Sequence, residues 1–106
     1  MICKLFIYGS LAPGRSNEHV LAGIEGVWEP ASIRGRLHVD GWRGYPGIDL
    51  DPEGEEVEGL LFSSSKLQDN WQRLDLFEAQ SYKRVLAESK TAGGLPVTAF
   101  VYVLKH

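Results

Sequence analysis

The order of apolar and polar residues along the chain predicts a protein made mostly of β-strands. Residues 2–8 are apolar at nearly every position, which indicates a strand buried on both faces. Residues 95–104 carry apolar side chains on both sides, so we expect a central strand rather than an edge strand. In 32–39, apolar residues that include Ile33 and Leu37 alternate with basic ones, which predicts a half-buried strand.

One stretch has the periodicity of an amphipathic helix. Four apolar residues recur at spacings of four, three and three: Leu67, Trp71, Leu74 and Phe77. We expect this main helix over 66–77, with Ser65 as its N-cap. A short helix is expected over 18–22, between an Asn17 cap and Gly23.

Turn sequences favour hairpins over helical crossovers. Pro52 and Gly54 mark one turn, and Gly93 and Gly94 mark another. The chain is therefore expected to form an α+β fold: five to seven strands in a mixed, mainly antiparallel sheet that curls into a small barrel. One main helix and one short helix would pack outside it.

Glycines in the middle of the chain carry two further predictions. Gly35 lies on the apolar side of its strand, which indicates a bulge or a close backbone crossing. Residues 41–47 include three glycines and are predicted to lack regular structure. The aromatic residues there, Trp42 and Tyr45, either line the mouth of a pocket or cover the core.

The composition limits the class of protein. A chain of 106 residues with 43% hydrophobic and 24% charged residues predicts one globular domain over 1–106. A net charge of −3 and scattered basic residues argue against nucleic-acid binding. The opening apolar run is too short for a signal peptide or a membrane span, so a cytoplasmic location without membrane association is expected. Cys3 is the only cysteine and is predicted to be a small buried side chain.

The chain changes abruptly to small residues after the first strand. Gly9 has no Cβ, so its backbone can approach a ligand closely. The N–H groups of Gly9, Ser10 and Leu11 could converge on an anion, or the segment could be an ordinary surface turn. Ser10 has no predictable histidine partner, so a serine hydrolase is not favoured.

Two carboxylates stand at the end of the main helix, Asp75 and Glu78. They could form a paired-carboxylate site, but we favour a structural role in which Asp75 accepts hydrogen bonds from the backbone or from Arg84. Tyr82 and Arg84 share one face of the next strand, where Arg84 either binds a carboxylate or rims the barrel. No Cys/His cluster is present, so no metal site is predicted.

Five segments occur in an order that resembles the gamma-glutamylcyclotransferase-like family, which includes the AIG2-like and gamma-glutamylamine cyclotransferase proteins. They are residues 8–11, 35–37, 45–47, 74–78 and 82–84. The resemblance spans essentially the full length and implies a small mixed β-barrel with peripheral helices. It implies an enzyme that releases 5-oxoproline from a γ-glutamyl compound without a metal or organic cofactor. One departure is Ala79, where many members place glycine after the acidic residue.

The resemblance also implies the roles of particular residues. Glu78 corresponds to the acid/base, and its burial at the barrel mouth would raise its pKa. The substrate-binding residues implied by the resemblance are Tyr8, Gly9, Ser10 and Leu11. Tyr45, Tyr82 and Arg84 are further candidates for substrate contact. The partner is expected to be a small γ-glutamyl amine or amino acid; the alternative is a binding module that keeps the barrel and pocket without catalysis.

Overall fold

The six strands seen in the described residues lie in one continuous sheet. The protein is represented by a computed structural model that describes residues 2–8, 19–42, 45–78 and 82–105. The strands are β1 (Lys4–Ile7), β2 (Val27–Trp42), β3 (Tyr45–Leu50), β4 (Glu55–Ser63), β5 (Tyr82–Thr91) and β6 (Pro96–Leu104). The helices are α1 (His19–Ala22) and α2 (Trp71–Glu78), and a 3-10 helix over Ser65–Asp69 precedes α2.

Five of the strands close into a barrel. The order of strands in the sheet is β3-β2-β4-β1-β6-β5. In addition, β2 pairs with β5, where Ala31 lies opposite Thr91 and Ser32 lies opposite Lys90. This second pairing leaves β3 outside the ring, on β2. The β1–β6 pair is parallel, and the other pairs between the described strands are antiparallel. The predicted α+β barrel, mixed but mainly antiparallel, is confirmed.

The two strands predicted to be buried occupy inner positions of the sheet. β1 lies between β4 and β6, and β6 lies between β1 and β5. Leu5 and Phe6 point to opposite faces of β1, yet both are almost fully buried. Phe6 joins the apolar cluster that fills the barrel, whereas Leu5 packs with the helical residues outside it. Both faces of β1 are therefore core, and its continuous apolar run follows from this position.

The main helix ends within one residue of its prediction, at Glu78, but its start and its continuity differ. Ser64, not Ser65, is the N-cap, since its hydroxyl accepts the N–H of Lys66 at 3.1 Å. The Asn70 side chain donates to the carbonyl oxygen of Lys66 at 2.8 Å, and such a local bond competes with helix continuation. The segment is accordingly split into a 3-10 turn and α2. Phe77 is 47% exposed, so the buried stripe ends one turn earlier than predicted.

The prediction of an irregular segment over 41–47 was wrong for the residues of it that the structure describes, 41–42 and 45–47. β2 continues through Trp42 and β3 begins at Tyr45, with a register shift between His38 and Trp42. Gly47 is needed for packing, because a Cβ there would meet the side chain of Leu104 on β6. Glycine thus allows β3 to approach the barrel, and its presence does not indicate a loop.

The predicted close crossing at Gly35 is confirmed. A Cβ on this residue would lie 2.5 Å from the backbone oxygen of Asp49 on β3. Leu37, which was expected to be buried, is 42% exposed because β3 stands outside the ring and the end of β2 has no barrel interior behind it. Cys3 is half-buried. No helix within the described ranges is long and apolar enough to span a membrane.

Candidate active site

Tyr8 connects three strands at one end of the barrel. Its hydroxyl donates to the carbonyl oxygen of Tyr102 on β6 at 2.6 Å and accepts the N–H of Ile48 on β3 at 3.1 Å. Burial raises the pKa of this phenol, so the hydroxyl stays protonated. Tyr8 therefore fixes the end of β1 and the point from which the chain continues into 9–18. The predicted binding residues Gly9, Ser10 and Leu11 lie outside the described residues, as does Ala79.

Glu78, the last residue of α2, lies near the same end of the barrel. It is half-buried, and this burial raises the pKa of its carboxyl group from the ordinary value of 4.5 to about 7. Burial is the main cause of the raised pKa values of Tyr8 and Tyr102, and the negative charge of Glu78 adds a smaller part to each, so Glu78 lies within electrostatic range of both phenols. The structure thus brings the predicted acid/base near the start of the predicted binding segment, although 70 positions separate them in the chain.

Asp75, one helical turn before Glu78, is held in a different way. Nε of Arg84 donates to its Oδ1 at 2.8 Å and Nη2 to its Oδ2 at 3.1 Å, while the hydroxyl of Tyr102 donates to Oδ1 at 2.7 Å. Burial opposes its ionisation, but the hydrogen bonds from Arg84 and Tyr102 outweigh this and keep the pKa of Asp75 below its usual value. The structural interpretation of Asp75 as the acceptor of Arg84 is confirmed.

Two aromatic rings enclose the guanidinium group of Arg84. Its central carbon lies 4.4 Å from the ring centre of Trp71 on α2 and 4.3 Å from that of Phe100 on β6. The two rings meet edge to face at 4.9 Å between their centres. A cation stacked on aromatic faces and paired with a carboxylate is held rigidly. Arg84 therefore joins α2 to β5 and β6.

The other predicted contact residues lie around this end of the barrel. Tyr82 begins β5, is half-buried and is close enough to Tyr8 to contribute to its raised pKa. Tyr45 begins β3, but its side chain is outside the described part of the structure. A cleft of about 230 Å³ opens beside α2 and is lined by Asp75, Tyr82, Lys83, Arg84, Tyr102 and Lys105.

Tyr102 was not predicted to belong to the site. Its hydroxyl contacts Asp75 and its carbonyl contacts Tyr8, and its phenol is buried with a raised pKa. The sequence offers one signal for Tyr102, a hydroxyl-bearing side chain within the mostly apolar segment 95–104. That signal was insufficient, because a tyrosine in such a segment can equally be a core residue. Only the pairing of β6 with its neighbours brings Tyr102 to the site.

A larger cleft, of about 450 Å³, lies toward the opposite end of β5. Its polar groups contact one another: the hydroxyl of Ser32 donates to Glu56 at 2.7 Å, and the amine of Lys90 lies 3.9 Å from the same carboxylate. It shares no lining residue with the smaller cleft beside α2, and neither Glu78 nor Tyr8 lines either of the two. Within the ranges that the structure describes, no three His, Cys, Asp or Glu side chains are grouped as metal ligands would be.

A family model described as gamma-glutamyl cyclotransferase, AIG2-like, matches residues 5–106. The chain belongs to this family. Membership in the gamma-glutamyl cyclotransferase, AIG2-like family confirms the resemblance given by the five sequence segments and agrees with the closed mixed barrel. No curated relative matches the chain in sequence.

Solved structures share the fold over nearly the whole chain. YkqA from Bacillus subtilis is 27% identical, with a TM-score of 0.77, and the match covers 99% of this chain and 36% of YkqA. An aig2-like protein from Mus musculus is 23% identical, with a TM-score of 0.78 and coverage of 96% and 76%. A gamma-glutamyl cyclotransferase structure is 21% identical, with a TM-score of 0.67 and coverage of 97% and 66%. The chain thus spans little more than a third of YkqA.

Proposed function

We propose that this protein is a gamma-glutamyl cyclotransferase that releases 5-oxoproline from a γ-glutamyl amine or γ-glutamyl amino acid, with Glu78 as the acid/base. Family membership supports the class of reaction. The observation that carries the role of Glu78 is its position near Tyr8, where burial raises its pKa to about 7. A carboxyl group with such a pKa can both accept and return a proton near neutral pH.

The proposed reaction needs no nucleophile from the protein. The substrate's α-amine attacks its own γ-carbonyl carbon, a five-membered lactam forms, and the bond to the leaving amine breaks. The main task of the site is to fold the glutamyl chain so that the amine and the carbonyl carbon are close. Orientation of this kind can lower a barrier by about 7–11 kcal/mol.

Glu78 would remove a proton from the attacking amine. An α-amino group titrates near 7.7–8, about 3.5 pKa units above the ordinary value of 4.5 for glutamate, which corresponds to about 5 kcal/mol. With the pKa of Glu78 at about 7, the difference falls to about one unit, or about 1.4 kcal/mol. Glu78 would then give the proton to the departing nitrogen, so that the carboxylate is regenerated.

The remaining predicted residues would hold the substrate. The backbone N–H groups of Gly9, Ser10 and Leu11 are proposed to bind the substrate α-carboxylate or the oxyanion that develops on the γ-carbonyl oxygen. Tyr8 anchors the start of this segment through Ile48 and Tyr102. Tyr82, Tyr45 and Arg84 stay predicted contacts; the guanidinium of Arg84 already has Asp75 as its partner.

The test is an assay for 5-oxoproline with a panel of γ-glutamyl amino acids, γ-glutamyl peptides and γ-glutamyl amines. We expect product from at least one substrate, and a loss of about 100-fold or more in kcat for Glu78→Gln. Glu58→Gln is the matched control, because Glu58 is an exposed glutamate on β4, and it should retain activity. Equal product from Glu78→Gln and wild type would exclude the acid/base role. Binding of these compounds by calorimetry without any product would favour the non-catalytic binding module instead.

A further inference from the structure

Tyr102 uses two different parts of its structure to contact two different elements of the site. Its main-chain carbonyl oxygen accepts the hydroxyl of Tyr8 at 2.6 Å, at the end of β1. Its own hydroxyl donates to Oδ1 of Asp75 on α2 at 2.7 Å. A single residue of β6 thus connects the strand that leads into the proposed binding segment with the helix that carries Glu78.

The last turn of α2 has few other attachments to the barrel among its apolar residues. Trp71 and Leu74, in the first part of the helix, are buried. In the last turn, Leu76 is 72% exposed and Phe77 is 47% exposed, so these side chains contribute little to packing. Asp75 therefore supplies the polar anchor of this turn, through Tyr102 and Arg84.

Asp75 and Glu78 are three residues apart on the helix and so project from neighbouring positions of one side. A contact that fixes Asp75 consequently restricts where the carboxyl group of Glu78 can lie. Without the Tyr102 hydrogen bond, Asp75 would keep only Arg84 on β5 as its partner, and the last turn, which lacks the hydrogen bonds of a helix interior, could shift relative to β6.

We propose that Tyr102 is a positioning residue that sets the separation between Tyr8, at the end of β1, and the last turn of α2, which carries Glu78. The inference rests on the proposed function for its catalytic consequence, but the geometric part does not depend on it. Arg84 and Tyr102 both bind Asp75. Of these two residues, Tyr102 is the one that also accepts a hydrogen bond from Tyr8. The two attachment points, the carbonyl oxygen and the hydroxyl of Tyr102, belong to one residue. A movement of β6 therefore shifts both together and preserves the separation between them.

The test is Tyr102→Phe, which removes the hydroxyl and keeps the ring and the main-chain carbonyl. We expect kcat for 5-oxoproline release to fall about 5- to 30-fold, with KM changed less than twofold because Tyr8 retains its acceptor. The pKa of Glu78, followed by NMR of its side-chain carboxyl carbon, should move by about half a unit or more toward its ordinary value as solvent reaches it.

Ser89→Ala is the matched control. Its buried hydroxyl donates to the carbonyl oxygen of Val97 at 2.9 Å, so this variant loses a comparable hydrogen bond without touching α2. It should leave kcat and the pKa of Glu78 unchanged. If Tyr102→Phe does not fold, Asp75→Ala removes the same contact from the helix side, together with the Arg84 ion pair; Arg84→Met, which removes that ion pair but keeps the Tyr102 contact, is then the control, and both changes should be larger in Asp75→Ala.

The possible failures can be told apart. A wild-type protein that releases 5-oxoproline, with the pKa of Glu78 unmoved by Tyr102→Phe, would overturn the positioning role even if kcat fell. A wild type that forms no product, with the pKa of Glu78 moved by Tyr102→Phe and not by Ser89→Ala, would support the positioning role and contradict the proposed function.

Discussion

Asp75 and Glu78 lie one helical turn apart on α2, and their surroundings move their pKa values in opposite directions. Burial raises the pKa of Glu78 to about 7, whereas hydrogen bonds from Arg84 and Tyr102 overcome burial at Asp75 and lower its pKa. Two carboxylates that differ in this way are suited to different tasks, one to proton transfer and the other to a fixed ionic contact. The two pKa values differ because Asp75 accepts hydrogen bonds from the cationic Arg84 and from Tyr102, whereas the shift of Glu78 comes from burial.

The pH dependence of activity should report this difference. We expect kcat/KM for 5-oxoproline release to reach half its plateau near pH 7 on the acid side, because the proposed base must be deprotonated. Below pH 6 the rate should fall about tenfold per pH unit. Initial rates from pH 5 to 9 would measure the profile. An acid limb near pH 4.5 would show that the titrating group is not a buried glutamate.

Stability should also depend on Glu78, and the sign follows from its raised pKa. Its carboxyl group binds a proton more tightly in the folded state, so its contribution is complete below the unfolded value of 4.5 and is lost as the pH rises to about 7. Glu78→Gln should therefore match wild type at pH 4 and be more stable by about 1–3 kcal/mol at pH 8. Urea unfolding at both pH values measures this. Glu58→Gln should show no such gain, and a Glu78→Gln variant less stable than wild type at pH 8 would contradict the burial.

The ion pair of Arg84 should stabilise the fold more than an exposed pair does. Arg84→Met keeps an apolar stem between the rings but leaves Asp75 without its charged donor, and we expect a loss of about 1–3 kcal/mol. The pKa of Asp75 is lowered in the folded state, so its ion pair stabilises the fold only while the carboxylate is ionised. The difference in stability between Arg84→Met and wild type should therefore shrink as the pH falls below 3.8, the ordinary pKa of aspartate.

Arg36→Met is the matched control for the ion pair. Arg36 lies 3.6 Å from Asp51 with 74% of its side chain exposed, and such pairs contribute less than about 1 kcal/mol. Thermal or urea unfolding of both variants at neutral pH makes the comparison. Equal losses would mean that enclosure between Trp71 and Phe100 adds nothing.

Gly35 should not tolerate a side chain. A Cβ would lie 2.5 Å from the backbone oxygen of Asp49, and backbone cannot move aside as a flexible side chain can. Gly35→Ala should cost about 1–3 kcal/mol of unfolding free energy. Gly23→Ala, where a Cβ meets nothing within 4 Å, should stay within about 0.5–1 kcal/mol of wild type and is the control. If both variants unfolded alike, β3 would not approach β2 as closely as described.

Much of the fold could be predicted because its signals are local. The apolar runs of β1 and β6 indicated inner strands, and the side of the strand on which Gly35 stands indicated a close crossing. The errors fell where tertiary contacts decide. Glycines that make room for packing were interpreted as a loop, and Phe77 and Leu37 keep their periodic positions but are only partly covered by other residues.

The sequence by itself determined the inner strands β1 and β6, the amphipathic stretch of α2, the candidate acid/base and the family, because each depends on residues that are near in the chain or on an ordered set of segments. The strand order and register that close the barrel, and the part played by Tyr102, depend on contacts between residues far apart in the chain. The bond from Tyr8 to Tyr102 joins residues 94 positions apart, and no periodicity of either segment specifies it. Such contacts exist only after the sheet has closed, so only the tertiary structure could reveal them.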